Sequence, residues 1–152
     1  MPDDLTFMMG KFAARLPADL LYARNHMWGR AADGRLRFGF TAYAVRLMQD
    51  VYFLDWCVNA GDAVTLKQQI GNIETSKAVA DLFAPIGGTI EVFNGELLKD
   101  PSGINVDCYG PGWLFEMTGP GDGLMDAAAY HDYLASTWES TQRLIKGQIN
   151  TE

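Results

Sequence analysis

Between Leu20 and Met117 the chain consists of short segments rich in valine, isoleucine and aromatic residues, broken repeatedly by glycine, aspartate, asparagine and proline. Runs of this length and composition are typical of β-strands joined by tight turns. Many short strands pack as a sandwich or a barrel, which is therefore the expected fold class. The strands are predicted at residues 21–23, 26–30, 36–40, 50–56, 63–73, 79–83, 88–93 and 112–117.

Two segments outside this region carry apolar residues at helical spacing. Residues 1–16 follow such a pattern, and Pro17 would end a helix there. After a glycine-rich loop, Asp126 is a favourable N-cap for a second helix. We expect an N-terminal amphipathic helix over 1–16, a β core over 17–117 and a C-terminal helix over 124–146. Shorter helical turns are predicted at 40–48 and 94–98.

Composition limits the classes of function. With 152 residues and 48% hydrophobic side chains, the chain is long enough for a single domain, 1–152, with a packed core. A net charge of −7 argues against nucleic acid as a partner, because phosphate binding needs a basic patch. No apolar run approaches the roughly 20 residues that cross a bilayer, so membrane insertion is not expected. Asp3 and Asp4 stand where a signal peptide would be basic, which predicts a cytoplasmic protein.

Residues that could bind a metal are few and scattered. Cys57 and Cys108 are the only cysteines and form no CxxC pair, and His26 and His131 are the only histidines. A structural zinc site needs four ligands at characteristic spacing, which this pattern does not provide. We therefore predict no metal site. Small buried hydrophobic residues are the ordinary expectation for two such cysteines.

Lys77 lies between two predicted strands, in a stretch whose flanks indicate a tight reversal of the chain. Its small neighbours, Ser76 and Ala78, would leave its amine on a protruding turn. Such a lysine is accessible to a modifying enzyme or to the cleft of a partner, although an ordinary solvated lysine fits the same position. Lys77 is accordingly the candidate functional residue.

A series of short motifs extends from about Leu16 to Leu134. They are Leu16-Pro17-Ala18-Asp19-Leu20, Asn25-His26-Met27-Trp28, Gly39-Phe40-Thr41-Ala42-Tyr43-Ala44, Asp50-Val51, Gly61, Ile73-Glu74-Thr75-Ser76-Lys77-Ala78, Asp81-Leu82-Phe83-Ala84-Pro85, Asn105-Val106-Asp107-Cys108-Tyr109-Gly110 and Gly112-Trp113-Leu114. In this order they resemble the glycine cleavage H protein, a family of lipoyl carriers. Each motif is short, and their order along the chain is what makes the resemblance specific.

The resemblance implies a fold and a cofactor. The fold would be mainly β with flanking helices, a hybrid-motif barrel-sandwich like that of lipoyl domains. In that family, the lysine of a similar turn is amide-linked to lipoic acid. Lys77 occupies the matching place, and Glu74, Ser76 and Ala78 form its turn context. The protein would then be a non-catalytic carrier, modified by a lipoate-protein ligase and visited by partner enzymes.

Three departures from the family pattern concern those partners. Typical members have His-Glu-Trp where this chain has His26-Met27-Trp28, which removes a carboxylate. Cys57 and Cys108 fall near positions where the family favours proline, and the loop of Cys57 has one extra residue. Thiols in the loops of a lipoyl carrier suggest a redox role through exchange with the arm. The departures favour the branch of lipoate-binding proteins in bacterial sulfur oxidation, with a heterodisulfide-reductase-like complex and dihydrolipoyl dehydrogenase as partners.

Two other functions remain open. In the first, the lipoyl arm accepts an aminomethyl group from glycine decarboxylation, and the partners are the glycine cleavage P, T and L proteins. In the second, the chain is an unmodified module that binds proteins through the same turn. A biotin carrier fits less well, because its lysine usually lies in Met-Lys-Met and this chain has Ser76-Lys77-Ala78.

Overall fold

The computed structural model describes the backbone of residues 4–150 and the side chains of residues 4–142. The strands are β1 (Leu5–Met9), β2 (Phe12–Leu16), β3 (Leu21–Tyr22), β4 (Met27–Ala32), β5 (Arg35–Phe40), β6 (Val51–Trp56), β7 (Ala63–Val64), β8 (Gln69–Thr75), β9 (Val79–Phe83), β10 (Gly88–Phe93) and β11 (Phe115–Thr118). The helices are α1 (Ala42–Met48), α2 (Gly95–Lys99), α3 (Gly103–Val106) and α4 (Ala127–Asn150). Within this range, no helix is long and apolar enough to cross a membrane.

The described strands form three antiparallel sheets. Their orders are β1-β2, β3-β4-β5-β11-β10-β7 and β6-β8-β9. The two larger sheets share one apolar core, to which the six-stranded sheet contributes Phe38, Ile90 and Phe115 and the three-stranded sheet Leu54 and Ile73. Two sheets that bury their inner faces together make a sandwich. The expectation of a mainly β sandwich is therefore confirmed.

The predicted N-terminal helix over residues 1–16 is wrong. Residues 5–16 form the β1–β2 hairpin, and residues 1–3 of that prediction lie outside the described residues. Along β1, buried Phe7 and Met9 alternate with exposed residues, and Met8 is 52% exposed. Gly10 has a φ of +64°, which suits the tight turn between the strands. The spacing of the apolar residues is compatible with the period of two of a β-strand and with the period of a helix. The turn at Gly10 favours the hairpin.

The strand predicted over residues 63–73 is two strands, β7 and β8, separated by a turn. In that turn the Gln68 amide donates a hydrogen bond to the Thr65 carbonyl at 3.1 Å, and Lys67 has a φ of +71°. β7 therefore joins the six-stranded sheet while β8 joins the three-stranded one. The short helices α1 and α2 match the predicted turns at 40–48 and 94–98, whereas α3 was not predicted.

The C-terminal helix is present as α4, spanning Ala127–Asn150 rather than the predicted 124–146. Asp126 caps it, because its Oδ1 accepts a hydrogen bond from the Ala129 amide at 2.8 Å. The helix packs against the β1–β2 hairpin and α1 through aromatic rings. We call the residues of this second core the aromatic cluster: Phe7, Tyr22, Trp28, Tyr43, Tyr130 and Trp138.

Candidate functional site

Lys77 lies in the tight turn that joins β8 to β9. The Thr75 amide donates a hydrogen bond to the Ala78 carbonyl at 2.9 Å, which closes the reversal. The Thr75 hydroxyl accepts hydrogen bonds from the amides of Lys77 and Ala78, both at 3.2 Å. Hydroxyl side chains stabilise turns in this way. The reversal predicted from the sequence is therefore confirmed, and its conformation is reinforced by a side chain.

A second set of hydrogen bonds ties this turn to the start of β6. The Ser76 amide donates to the Asp50 carbonyl at 2.9 Å, and the Asp50 amide donates to the Ser76 Oγ at 3.2 Å. Asn105 extends the connection, because its Oδ1 accepts from the Val51 amide at 2.9 Å and its Nδ2 donates to the Gln49 carbonyl at 2.7 Å. The turn is thus held by its own strands and by Asp50 just before β6, and Asn105 of α3 holds the residues on either side of Asp50.

The side chains around the turn are open to solvent. Lys77 is exposed, as are Glu74, Ser76 and Ala78. Among residues 4–142, no ion pair includes Lys77. Its amine is therefore available to an enzyme, while the backbone beneath it is constrained by the neighbouring hydrogen bonds of Thr75 and Asp50.

His26 is half-buried and packs against Tyr43 and Tyr130 of the aromatic cluster. Its Nδ1 lies 2.8 Å from the Tyr130 hydroxyl, which in turn lies 3.0 Å from the Thr41 Oγ1. Burial lowers the pKa of His26 to about 4 and raises the pKa of Tyr130. Both groups are therefore neutral near pH 7. This arrangement orients α4 on the β core and leaves His26 as a structural residue.

Cys57 lies far from Lys77. It follows β6, whose first residue Val51 pairs with Thr75 beside the turn, and a strand of this length spans about 20 Å. The Cys57 amide donates to the Ile70 carbonyl at the opposite end of β8. Its thiol is free and exposed.

Cys108 is held against the aromatic cluster. Its carbonyl accepts a hydrogen bond from the Trp28 Nε1 at 2.8 Å. Burial, with a smaller contribution from Asp107, raises the pKa of the Cys108 thiol to about 12. A thiol in this state is a poor nucleophile at neutral pH. The predicted redox role of Cys57 and Cys108 thus receives no support, since Cys57 is remote from the turn and the raised pKa keeps the Cys108 thiol protonated near pH 7.

Sequence reasoning missed the residues that brace the turn. Asp50 and Asn105 are distant from Lys77 along the chain, and neither was assigned a role. The only signal was their place within motifs that resemble the family. The Thr75 hydroxyl was also unassigned, although a threonine two residues before the tip of a turn is a common turn-forming signal.

Comparisons with known proteins place most of this chain in one family. The family model described as Glycine cleavage H-protein matches residues 20–137. A glycine cleavage system H protein from Halorhodospira halophila is 37% identical, over 80% of this chain and 97% of its own. One from Myxococcus xanthus is 38% identical, over 78% of this chain and 94% of its own.

A solved structure gives the same result for the fold. The crystal structure of a glycine cleavage system H protein from Mycobacterium marinum aligns with a TM-score of 0.69 and 32% identity, covering 79% of this chain and 99% of that one. The β1–β2 hairpin and the end of α4 lie outside the family match, which is limited to residues 20–137. This chain belongs to the glycine cleavage H-protein family, whose members are non-catalytic carriers with lipoic acid joined covalently to a lysine.

Proposed function

We propose that Lys77 is the lysine that carries lipoic acid in this protein. The observation that supports it is an exposed amine, without an ion pair in the described residues, on a turn whose backbone is hydrogen-bonded through Thr75 and to Asp50. With ATP, the ligase would convert the lipoate carboxyl to an acyl-AMP; the neutral Lys77 Nζ then displaces AMP, so that the amide C–N bond forms as the acyl C–O bond breaks and the side chain no longer carries a charge. When bound, the group supplies a strained five-membered disulfide that accepts electrons or a carried group by exchange.

The residues of the turn fit such a group. Ser76 and Ala78 are small and exposed, so the base of the arm meets no bulky neighbour. The side chains of Ser76 and Thr75 accept hydrogen bonds from backbone amides. These bonds hold the attachment point in place while the arm moves. An arm that visits several enzymes needs an attachment point of this kind, because a lysine in a deep pocket could serve only one of them.

We further propose that the carried group is an aminomethyl group produced by glycine decarboxylation. The partners are then a lipoate-protein ligase and the glycine cleavage P, T and L proteins. The family match and the two relatives named above support this assignment. This reverses the preference that the sequence departures suggested.

Sulfur oxidation is the second candidate, because Cys57 is exposed in a loop that is longer than usual for the family. The other departures support it less. Met27 is 1% exposed within the main core, so the missing carboxylate alters packing and leaves the surface charge unchanged. The raised pKa of Cys108 argues against thiol exchange there. In this candidate the partners are a heterodisulfide-reductase-like complex and dihydrolipoyl dehydrogenase.

The proposal is tested in two steps. The full chain is co-expressed with a lipoate-protein ligase, and intact mass with peptide mapping then locates the modification. One lipoyl increment on Lys77 supports the carrier role, whereas an unmodified chain beside a competent ligase favours the unmodified binding module. The lipoylated protein is next supplied to purified glycine cleavage P protein. Rapid exchange of the glycine carboxyl with bicarbonate supports the aminomethyl role, and its absence favours the sulfur pathway.

A further inference from the structure

Large apolar side chains are exposed on both sides of the Lys77 turn. Tyr52 is 65% exposed and Phe53 is 47% exposed on β6, and Val79 at the start of β9 is 70% exposed. Large exposed apolar side chains that are grouped in one part of a surface commonly mark an interaction surface. We call Tyr52, Phe53 and Val79 the apolar rim.

The apolar rim depends on a β-bulge in β6. Val51 pairs with Thr75 and Phe53 pairs with Glu74, so two steps along β6 oppose one step along β8. In a regular strand, consecutive side chains point to opposite faces, and one of two neighbouring aromatic residues would be buried. Here Tyr52 and Phe53 are both exposed, between buried Val51 and Leu54. The bulge interrupts the alternation of side chains along β6, so that two adjacent aromatic rings lie in solvent next to the turn.

The rest of the rim is set by strand pairing. Phe53 pairs with Glu74, which also pairs with Val79, so the three lie side by side on the outer face of the three-stranded sheet. Since neighbouring strands are about 4.8 Å apart, Phe53 and Val79 are about 10 Å from each other. Lys77 follows Glu74 by three residues, at the end of the same hairpin.

The next row on this face is acidic. Asp55 pairs with Asn72 and Asn72 pairs with Asp81, and both carboxylates are exposed. The outer face therefore presents the lysine turn, then the apolar rim around Glu74, then two further carboxylates. A complementary partner has an apolar recess beside its active site and basic side chains beyond the recess.

The position of the rim identifies which partner would cover it. An enzyme that acylates Lys77 must bring its active site to the Lys77 Nζ, within one lysine side chain of the turn. Enzymes that act later meet the far end of the arm and can remain clear of the rim. A second copy of the chain is a poor occupant, because a stable dimer buries at least roughly 1,200 Å², far more than three side chains provide, whereas a transient encounter with an enzyme needs less.

We propose that the apolar rim, with the acidic row behind it, is the docking surface for the enzyme that attaches the lipoyl group to Lys77. This inference rests on the proposed function, since it requires Lys77 to be the modified residue. The bulge at Tyr52 is then a recognition device, and the rim side chains determine how well the attaching enzyme binds the unmodified carrier.

The test measures attachment rates at several concentrations of the full, unmodified chain, with a purified lipoate-protein ligase, lipoate and ATP. Phe53→Ser and Val79→Ser remove rim side chains, and Tyr52→Ser changes only the extra residue of the bulge. Leu66→Ser is the matched control, because Leu66 is 57% exposed in the β7–β8 turn, at the other end of β8. For the combined rim variant, KM is expected to rise about tenfold with kcat nearly unchanged, as for loss of a binding hot spot.

A charge test accompanies it. Asp55→Asn with Asp81→Asn should weaken the salt dependence of KM, while Asp33→Asn in the β4–β5 turn should leave it unchanged. Each variant is first shown to unfold at the wild-type temperature. Each is also lipoylated at high ligase concentration and assayed with dihydrolipoyl dehydrogenase, where wild-type rates are expected.

The outcomes separate the inference from the proposed function. Wild-type protein that is not modified at Lys77 overturns both. Modification of wild type with equal KM for all variants, or an equal rise for Leu66→Ser, overturns the docking surface alone. Slower dehydrogenase turnover with normal attachment assigns the rim to that enzyme and overturns the inference. A rim variant that changes the sedimentation coefficient assigns the apolar rim to self-association and also overturns the inference.

Discussion

The Lys77 turn and the aromatic cluster lie in the same chain but are stabilised by different interactions. Short polar contacts hold the turn, with Thr75 and Ser76 bonding to nearby backbone, while its side chains stay exposed. The aromatic cluster buries rings, as where Phe7 packs edge-on against Tyr43 and Trp138 at 5.8 and 5.7 Å between centroids. The burial of apolar area dominates stability, whereas exposed hydrogen bonds contribute little.

This difference separates stability from function. A modifying enzyme needs an accessible lysine, so the turn cannot be covered by a core. Hydrogen bonds fix its shape without covering it. The bulk of the folding free energy must then come from regions such as the aromatic cluster, to which the turn is linked through Tyr43 on α1 and Asp50 just after α1. Changes at the two regions should accordingly have separable effects.

The largest expected effect is on modification. Lys77→Arg keeps a long cationic side chain but removes the amine that forms the amide, so attachment should be lost completely. The free energy of unfolding should change by less than about 0.5 kcal/mol, because the side chain is exposed. Intact mass and urea unfolding measure the two quantities. Lys99→Arg is the matched control and should be modified normally; lipoylation of the Lys77→Arg protein would assign the site to another lysine.

The reverse pattern is expected in the aromatic cluster. Phe7→Ala leaves a cavity between α1, α4 and the β1–β2 hairpin, and should lower the free energy of unfolding by about 3–5 kcal/mol. The protein that remains folded should still be modified at Lys77 at the wild-type rate. Met8→Ala, at the exposed neighbour in β1, should cost under about 0.5 kcal/mol. Equal losses for the two variants would mean that the hairpin is not packed as described.

Acid should lower the free energy of unfolding through His26, which packs against the aromatic cluster, before it changes the Lys77 turn. Burial lowers the pKa of His26 from 6.5 to about 4, so between these values the unfolded chain binds more protons than the folded one. The free energy of unfolding should therefore fall as the pH decreases from 6.5 to about 4, and this contribution should level off at lower pH.

His26→Gln tests that assignment. Urea unfolding across this pH range should show a flatter profile for the variant than for wild type. Hydrogen exchange of the Lys77 amide, corrected for its intrinsic pH dependence, should remain constant. A wild-type slope in His26→Gln would show that another group is responsible.

The smallest effect is expected for the polar bracing of the turn. Thr75→Val removes the acceptor for the Lys77 and Ala78 amides, and should cost about 1 kcal/mol or less because the turn is exposed. Those two amides should exchange faster with solvent, while the aromatic cluster is unaffected. Native-state hydrogen exchange provides the measurement, and Thr65→Val in the β7–β8 turn is the control. Unchanged exchange at Lys77 would mean that Ser76 and Asp50 are sufficient to hold the turn.

Local signals predicted much of this molecule. The strands were predicted from short apolar segments that glycine and asparagine interrupt. The start of α4 was predicted from Asp126. The turn at Lys77 was predicted from its flanking segments, and the exposure of the Lys77 amine from its small neighbours. The helix expected over residues 1–16 failed because Leu5, Met9, Phe12 and Leu16 suit either a helix or a hairpin, and only packing against α1 and α4 buries one face of the hairpin.

The sequence by itself determined the β-rich composition, the position of the lysine and the resemblance to a family. Tertiary structure decided which residues brace that lysine, because Asp50 bonds to Ser76 in the turn and Asn105 bonds to the residues on either side of Asp50. It also decided that Met27 is a core residue and that Cys57 is remote from Lys77. Patterns of a few residues report local conformation, whereas contacts between distant segments depend on how the sheets pack, and no short pattern encodes that packing.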